Sequence, residues 1–289
     1  MATKKKRSAS KNLAATRPPI TQKPKSITRK HTKALINSHH QLEKQKRQAV
    51  ANGDASAAAD IDRQLAALGG LKSYQQASLQ GQRKDRGGDS SSVLMEWLKA
   101  EVPGLKARPL RMLEVGALST ENACSRSECF TIERIDLHSQ GEGILEQDFM
   151  KRPLPGGDSE RFDIISLSLV LNFVPNHQDR GDMLLRTLDF LVDPSPPSSS
   201  SPTKSSFPSL FLVLPAPCVT NSRYLDEDKL QAIMRCLGYE QVQYKSTQRL
   251  VYYLWKRVQQ KPTKLPVFAK RGLRPGASRN NFAIALRGI

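Results

Sequence analysis

The sequence predicts an α/β fold: a seven-stranded, mostly parallel sheet with helices on both faces, preceded by a helical N-terminal extension. Three observations predict it. Between residues 105 and 257, short and nearly continuous apolar runs alternate with amphipathic stretches, the pattern of parallel strands buried by their crossover helices. The formal charge of +18 sits at the ends of the chain, because residues 91–257 carry 19 basic against 21 acidic side chains. Glycine or acid stands at the carboxyl ends of the first three predicted strands, where a doubly wound sheet receives its ligands.

Residues 1–30 are basic, contain Pro18, Pro19 and Pro24 and few apolar side chains, and are predicted to be a disordered tail. Residues 31–104 form the helical extension. From Thr32 to Leu68, apolar positions at Leu35, Ile36, Leu42, Ile61, Leu65 and Leu68 predict two helices broken near Asn52-Gly53, and Gly69-Gly70 ends the second. After the polar stretch Tyr74–Gly81, Ser90 to Ser92 read as the cap of a helix through Val93, Trp97 and Leu98 that Pro103-Gly104 stops. Leu110–Val115, Phe130–Asp136, Ile144–Asp148 and Phe162–Leu169 are the first four predicted strands. A helix over His177–Leu191, a strand over Leu210–Leu214, a helix over Tyr224–Leu237 and strands over Gln241–Tyr244 and Leu250–Trp255 complete the domain, which spans 105–257. Within it, residues 194–208 are a Pro- and Ser-rich insertion predicted to be disordered. Residues 258–289 form a basic C-terminal extension in which Asn281–Leu286 adds an edge strand or docks on the sheet.

Both ends point to a polyanion. Residues 1–50 hold 14 Lys/Arg against Glu43 alone, and residues 258–289 hold seven Lys/Arg and no acid. Such arms gain from neutralising phosphates by counterion release. Lys4-Lys5-Lys6-Arg7 has the composition of a nuclear localisation patch. No apolar run approaches the roughly 20 residues of a membrane span, and the first residues lack the apolar core of a secretory signal. Cys124, Cys129, Cys218 and Cys236 form no CxxC pair and no Cys/His set at zinc spacing, so no metal and reduced, intracellular thiols are expected.

The first strand ends Met112-Leu113-Glu114-Val115-Gly116, and glycine there lets backbone approach a ligand closely. The second ends in Asp136, twenty residues beyond Gly116, the spacing at which an acid accepts from the hydroxyls of an adenosine ribose. The third ends Gln147-Asp148-Phe149, offering a carboxylate to an exocyclic amine and a ring to an adenine face. In this order the residues favour a Rossmann-like site for an adenosine cofactor. A nicotinamide dinucleotide calls for three glycines around its pyrophosphate, and only Gly116 stands here, so a ligand without phosphates fits better. The fourth strand runs into Ser168-Leu169-Val170-Leu171-Asn172-Phe173-Val174-Pro175, the position facing a methyl acceptor. The Asp/Asn-Pro-Pro-aromatic motif of exocyclic amino methyltransferases is absent. A ring nitrogen such as adenine N1 already carries its lone pair and needs orientation more than a strong base. Asn172 is the candidate catalytic residue, positioned to bind an adenine edge with Ser168 assisting; capping the following turn is its plainer role. Cys218, after the fifth strand, has the chemistry of a nucleophile for carbon methylation of a pyrimidine, but no second cysteine stands at the fourth strand and a small buried thiol is the simpler reading.

Tyr74–Gly81, Arg86-Gly87-Gly88-Asp89, Leu113–Ala117, Arg134–Leu137, Gln147–Phe149 and Ser168–Pro175 together resemble the fungal 25S (large-subunit) rRNA adenine-N1 methyltransferases, over about residues 70–289. The resemblance implies a class I, S-adenosylmethionine-dependent methyltransferase of the nucleus and nucleolus, acting as a monomer on one adenine of large-subunit rRNA in the preribosome. Gly116 and Asp136 match that family's cofactor positions, and Asp148 and Phe149 complete the expected cofactor set. Leu118 departs from the Glu-x-Gly-x-Gly pattern of methyltransferases by occupying the second glycine position. Animal relatives share the pattern and are described as S-adenosylmethionine sensors in nutrient signalling. The alternative is therefore a non-catalytic cofactor-binding module that acts through protein partners. The basic ends favour the enzyme, because a sensor has no phosphates to neutralise.

Overall fold

A computed structural model describes residues 29–70, 89–139, 141–194 and 205–288. The basic patch Lys4–Arg7, the Tyr74–Gly81 stretch and most of the Ser-rich insertion lie outside them. Two antiparallel helices open the described chain: α1 (Arg29–Ala51) and α2 (Ala55–Ala67). The break falls where Asn52-Gly53 predicts it, and Asp54 caps α2 by accepting a hydrogen bond from Ala57 N at 2.9 Å. Ile61 and Leu65 close a small core against Ala49 and Leu42, and Lys46 pairs with Asp62 at 2.6 Å.

Helices α3 (Ser91–Trp97) and α4 (Val102–Ala107) precede the sheet. Ser90 makes no cap; Asp89 does, accepting from Ser91 N and Ser91 Oγ at 2.9 and 2.7 Å. Pro103 does not stop a helix either. It lies in the first turn of α4, where its missing N–H costs nothing.

The strands are β1 (Leu110–Val115), β2 (Phe130–Asp136), β3 (Leu145–Glu146), β4 (Ile164–Ser168), β5 (Ser209–Pro215), β6 (Tyr239–Ser246) and β7 (Leu250–Arg257). They form one seven-stranded sheet in the order β3-β2-β1-β4-β5-β7-β6, with β7 antiparallel to both neighbours and the rest parallel. The first two strands match the predicted ranges, whereas β3 shrinks to two residues and β6 extends four residues beyond its predicted core. Helices α5 (His177–Phe190), α6 (Pro217–Thr220) and α7 (Glu227–Cys236) follow β4 and β5. No helix connects β1 to β2; residues 117–129 form successive turns instead.

Alternation along β5 shows how the sheet is covered. Leu210, Leu212 and Leu214 face a core built with α5 and α7, while Phe211 and Val213 face Leu94, Leu98, Cys124 and Cys129. Successive strands run outward from β1 in one direction and then restart at β4 on its other side, so the topological switch lies between β1 and β4.

The C-terminal extension is part of the fold. It adds no sheet strand: Phe282, Ala283, Ile284, Ala285 and Leu286 are buried against α5 and α7. Arg180, on α5, donates to Ala283 O at 2.7 Å and Val174 O at 2.7 Å, with its guanidinium 4.2 Å from the Phe282 ring centroid. Arg274 donates to the carbonyls of Val219, Thr220, Ser222 and Leu225, which satisfies its charge without any carboxylate. At the far end of the predicted insertion, Ser206 Oγ donates to Glu101 at 2.6 Å.

Candidate active site

Four strand ends meet at the switch. Val115 pairs with Ile135 and with Leu167, and Asp136 pairs with Glu146, so Gly116, Asp136, Asp148 and the loop after Ser168 share the carboxyl edge of the sheet. Gly116 turns the chain at φ +73, and its N–H donates to Ile135 O at 2.8 Å. A Cβ on Gly116 would stand 2.7 Å from Val170 Cγ2, so the loop after β4 closes directly on this glycine. Only a residue without a side chain fits both constraints.

Asp136 accepts from His138 N at 2.9 Å, and burial followed by the Glu146 charge raises its carboxyl above the ordinary range despite that bond. Asp148 commits one oxygen to Met150 N at 2.9 Å, a turn bond, and remains half-buried at the same edge. Phe149 is not brought into the cleft. Its ring is 2% exposed and packs 5.3 Å from Phe190 with Arg186 beside it, so it serves the core rather than presenting a face to a ligand.

The β4 loop carries local strain. Leu169 adopts φ +59, a left-handed conformation that costs a leucine of order 1 kcal/mol or more and is held by its N–H to Val213 O at 3.0 Å. Ser168 Oγ lies 2.7 Å from Ser90 Oγ, tying the loop to the entry of α3. Asn172 Oδ1 is buried without a hydrogen-bond partner among the described residues. A buried acceptor left unpaired costs about 1–3 kcal/mol, so it is retained for a donor that arrives with a ligand or is structurally wasteful. Phe173, next in the loop, is exposed.

Two acids at this edge stand in motifs read from the sequence but were given no role there. Glu114 lies one residue inside β1, accepts both bonds of Asn122 Nδ2 at 2.8 and 2.9 Å, and sits 3.8 Å from Arg134. Burial outweighs those partners and pushes its carboxyl up to about 7, with Asp89 adding to the rise. Asp89 in turn binds Ala123 N, stitching the entry of α3 to the loop after β1. The motifs Met112–Gly116 and Arg86–Asp89 contain them, but their burial and partners come only from tertiary contacts.

A folded carboxyl raised from 4.5 binds its proton more tightly than the unfolded one, so stability falls as pH rises through the window from 4.5 to about 7 and levels off above it. Replacing Glu114 by Gln should remove about 3 kcal/mol of that loss. Urea midpoints at pH 5 and pH 8 read it directly: wild type loses stability between them, the variant far less. An unchanged slope would place the titration elsewhere.

Cys218 lies just beyond β5, buried, and burial pushes its thiol up to about 12 although Arg180 opposes the shift. It is a neutral packing group, not an activated nucleophile. All four cysteines are free thiols, no group of His, Cys, Asp or Glu among the described residues can hold a metal, and no described helix is long and apolar enough to cross a membrane.

The profile described as Bmt2, 25S rRNA (adenine(2142)-N(1))-methyltransferase, matches residues 59–284. The 25S rRNA (adenine(2142)-N(1))-methyltransferase of Saccharomyces cerevisiae is 41% identical over 231 residues, 78% of this chain and 63% of the yeast protein, so the chain spans less than two thirds of that relative. The 25S rRNA adenine-N(1) methyltransferase of Schizosaccharomyces pombe is 38% identical over 256 residues, 86% of this chain and 89% of that protein. Among solved structures, an O-methyltransferase family protein of Burkholderia thailandensis is a distant neighbour, with a TM-score of 0.42 and 10% identity over 81% of this chain and 74% of its own.

Proposed function

The chain belongs to the Bmt2 family, and on that premise we propose that it transfers the methyl group of S-adenosylmethionine to N1 of an adenine in 25S rRNA. The family match carries the reading, because it runs from α2 through the sheet to the docked C-terminal segment. The residues present fit the cofactor: a glycine whose backbone alone fills its position, then carboxylates at the next two strand ends. Gly116 lets the ligand lie against the backbone of the first loop, Asp136 accepts from the ribose hydroxyls, and Asp148 accepts from the adenine amine. When bound, S-adenosylmethionine supplies an electrophilic methyl group.

This chain's residues need only orient the acceptor. Adenine N1 offers its lone pair at neutral pH, so no general base is required, and the Asn172 amide oxygen, buried and unpaired among the described residues, accepts from the base's exocyclic amine. Phe173 gives the same loop an exposed ring. Because Watson–Crick pairing occupies N1, the substrate adenine is unpaired or extruded, which puts the reaction before the subunit is complete and the enzyme in the nucleolus.

Incubating the protein with tritiated S-adenosylmethionine and 25S rRNA fragments, then digesting to nucleosides, tests the reading. Label in 1-methyladenosine is the expected result; label only in cytidine, or none, contradicts it. Asp136→Ala should weaken cofactor binding by about 2 kcal/mol, the scale of a lost charge-assisted hydrogen-bond pair, as read by calorimetric titration. Unchanged affinity would make Asp136 structural.

A further inference from the structure

The docked C-terminal segment does more than close the core. Of its seven cations, Lys261 pairs with Asp189 at 2.6 Å, Arg287 pairs with Asp182 at 3.5 Å, and Arg274 is consumed by backbone carbonyls. Lys270 and Arg271 are exposed and, among the described residues, have no carboxylate within 4 Å. Their place is set by the backbone: Phe268 and Leu286 exchange both hydrogen bonds at 3.0 and 3.1 Å, and Lys229 Nζ donates to Ala269 O at 2.9 Å. Lys270 Nζ then lies 4.6 Å from the Tyr224 ring centroid, whose other cationic neighbour is Arg223 at 5.9 Å.

This cationic group adjoins the acceptor loop. Ala285 N donates to His177 O at 2.9 Å, and Arg180 of α5 donates both to Ala283 O and to Val174 O and Pro175 O, so the segment is joined through α5 to the loop that carries Asn172. The His177 imidazole is held below its usual value by burial first and by Lys270 and Arg180 after it, with Asp179 opposing. Lys229 is lowered by burial and by Arg271, opposed by Asp226. Two exposed, adjacent cations without a carboxylate partner among the described residues form a surface that an anion stabilises.

We propose that Lys270 and Arg271 bind the phosphates of the RNA strand flanking the target adenine, and so seat the acceptor loop on its substrate. The inference rests on the reading of the chain as an rRNA methyltransferase. RNA is favoured as the partner because successive phosphates match two adjacent exposed cations without carboxylate partners among the described residues, and the adjoining loop is the one that meets the base.

Filter binding of a 25S rRNA fragment across salt concentrations tests it, with the Lys270→Glu/Arg271→Glu chain against wild type. Affinity should fall about tenfold at low salt, and the slope of log affinity against log salt should flatten by about 1.4, two single-strand phosphate contacts. Melting temperature and cofactor affinity should stay the same. Lys99→Glu/Arg108→Glu, the same charge change on exposed residues around α4, should leave the slope near wild type. Equal affinity and slope in the 270/271 variant overturns the proposal, as does an equal loss in the 99/108 variant, which would make net charge the cause. Failure of wild type to methylate rRNA is a separate result, since binding is read without catalysis.

Discussion

Gly181→Ala is expected to lower the melting temperature by roughly 5–10 °C, the reverse of what its place in the sequence suggests. Gly181 lies in the interior of α5, where replacing an exposed glycine by alanine ordinarily stabilises a helix by about 1 kcal/mol. Here a Cβ would stand 1.9 Å from Ala285 O and 2.9 Å from Ala285 C, backbone atoms that cannot step aside individually. The segment would have to lift from α5, exposing Phe282, Ile284 and Leu286 and releasing Arg180 from Ala283 O. Each such side chain loses about 1.5–3 kcal/mol when fully exposed, so even partial undocking costs about 3 kcal/mol. Gly272→Ala, with nothing within 4 Å of the added methyl, is the control and should melt with wild type. Equal melting of both variants would show that the segment does not depend on close approach at Gly181.

Asn172→Ala should lower kcat by about 10²-fold, the scale of a misplaced reactant, while leaving cofactor affinity nearly unchanged. It should also leave stability equal or raise it by about 1 kcal/mol, because Oδ1 is buried without a partner among the described residues and its removal relieves a desolvation cost. A structural asparagine behaves oppositely, losing stability first and activity as a consequence. Single-turnover methylation of rRNA fragments with parallel urea melts separates the two. Full activity would remove Asn172 from the acceptor site, and a destabilised variant would assign it to the turn.

The pattern of strands was legible because a buried strand writes itself as an apolar run, as in Leu110–Val115 and Phe130–Asp136. The carboxyl edge proposed for the cofactor was legible for a related reason: in a parallel sheet, glycine and acids at strand ends are adjacent whatever joins the strands, and Gly116, Asp136 and Asp148 meet accordingly. Side-chain direction was not. Phe149 follows its aspartate in sequence, yet lies in the turn that Asp148 closes by accepting from Met150 N, and its ring is directed into the core toward Phe190. The C-terminal segment read as a basic tail because charge is visible in sequence, whereas the carbonyls that absorb Arg274 and the glycine that admits Ala285 come from elements more than 45 residues away. The cap of α3 was misassigned to Ser90 for want of Asp89's second role, its bond to Ala123 N across the site.

The most direct test of the central claim is mass analysis of nucleosides from the 25S rRNA of cells lacking this protein, with the wild-type chain and the Asn172→Ala chain restored separately. The account predicts that 1-methyladenosine is lost from one position, returns with the wild-type chain and returns poorly with the variant. An unchanged nucleoside profile in cells lacking the protein would contradict it, and would assign the cofactor edge to a binding module that acts through protein partners.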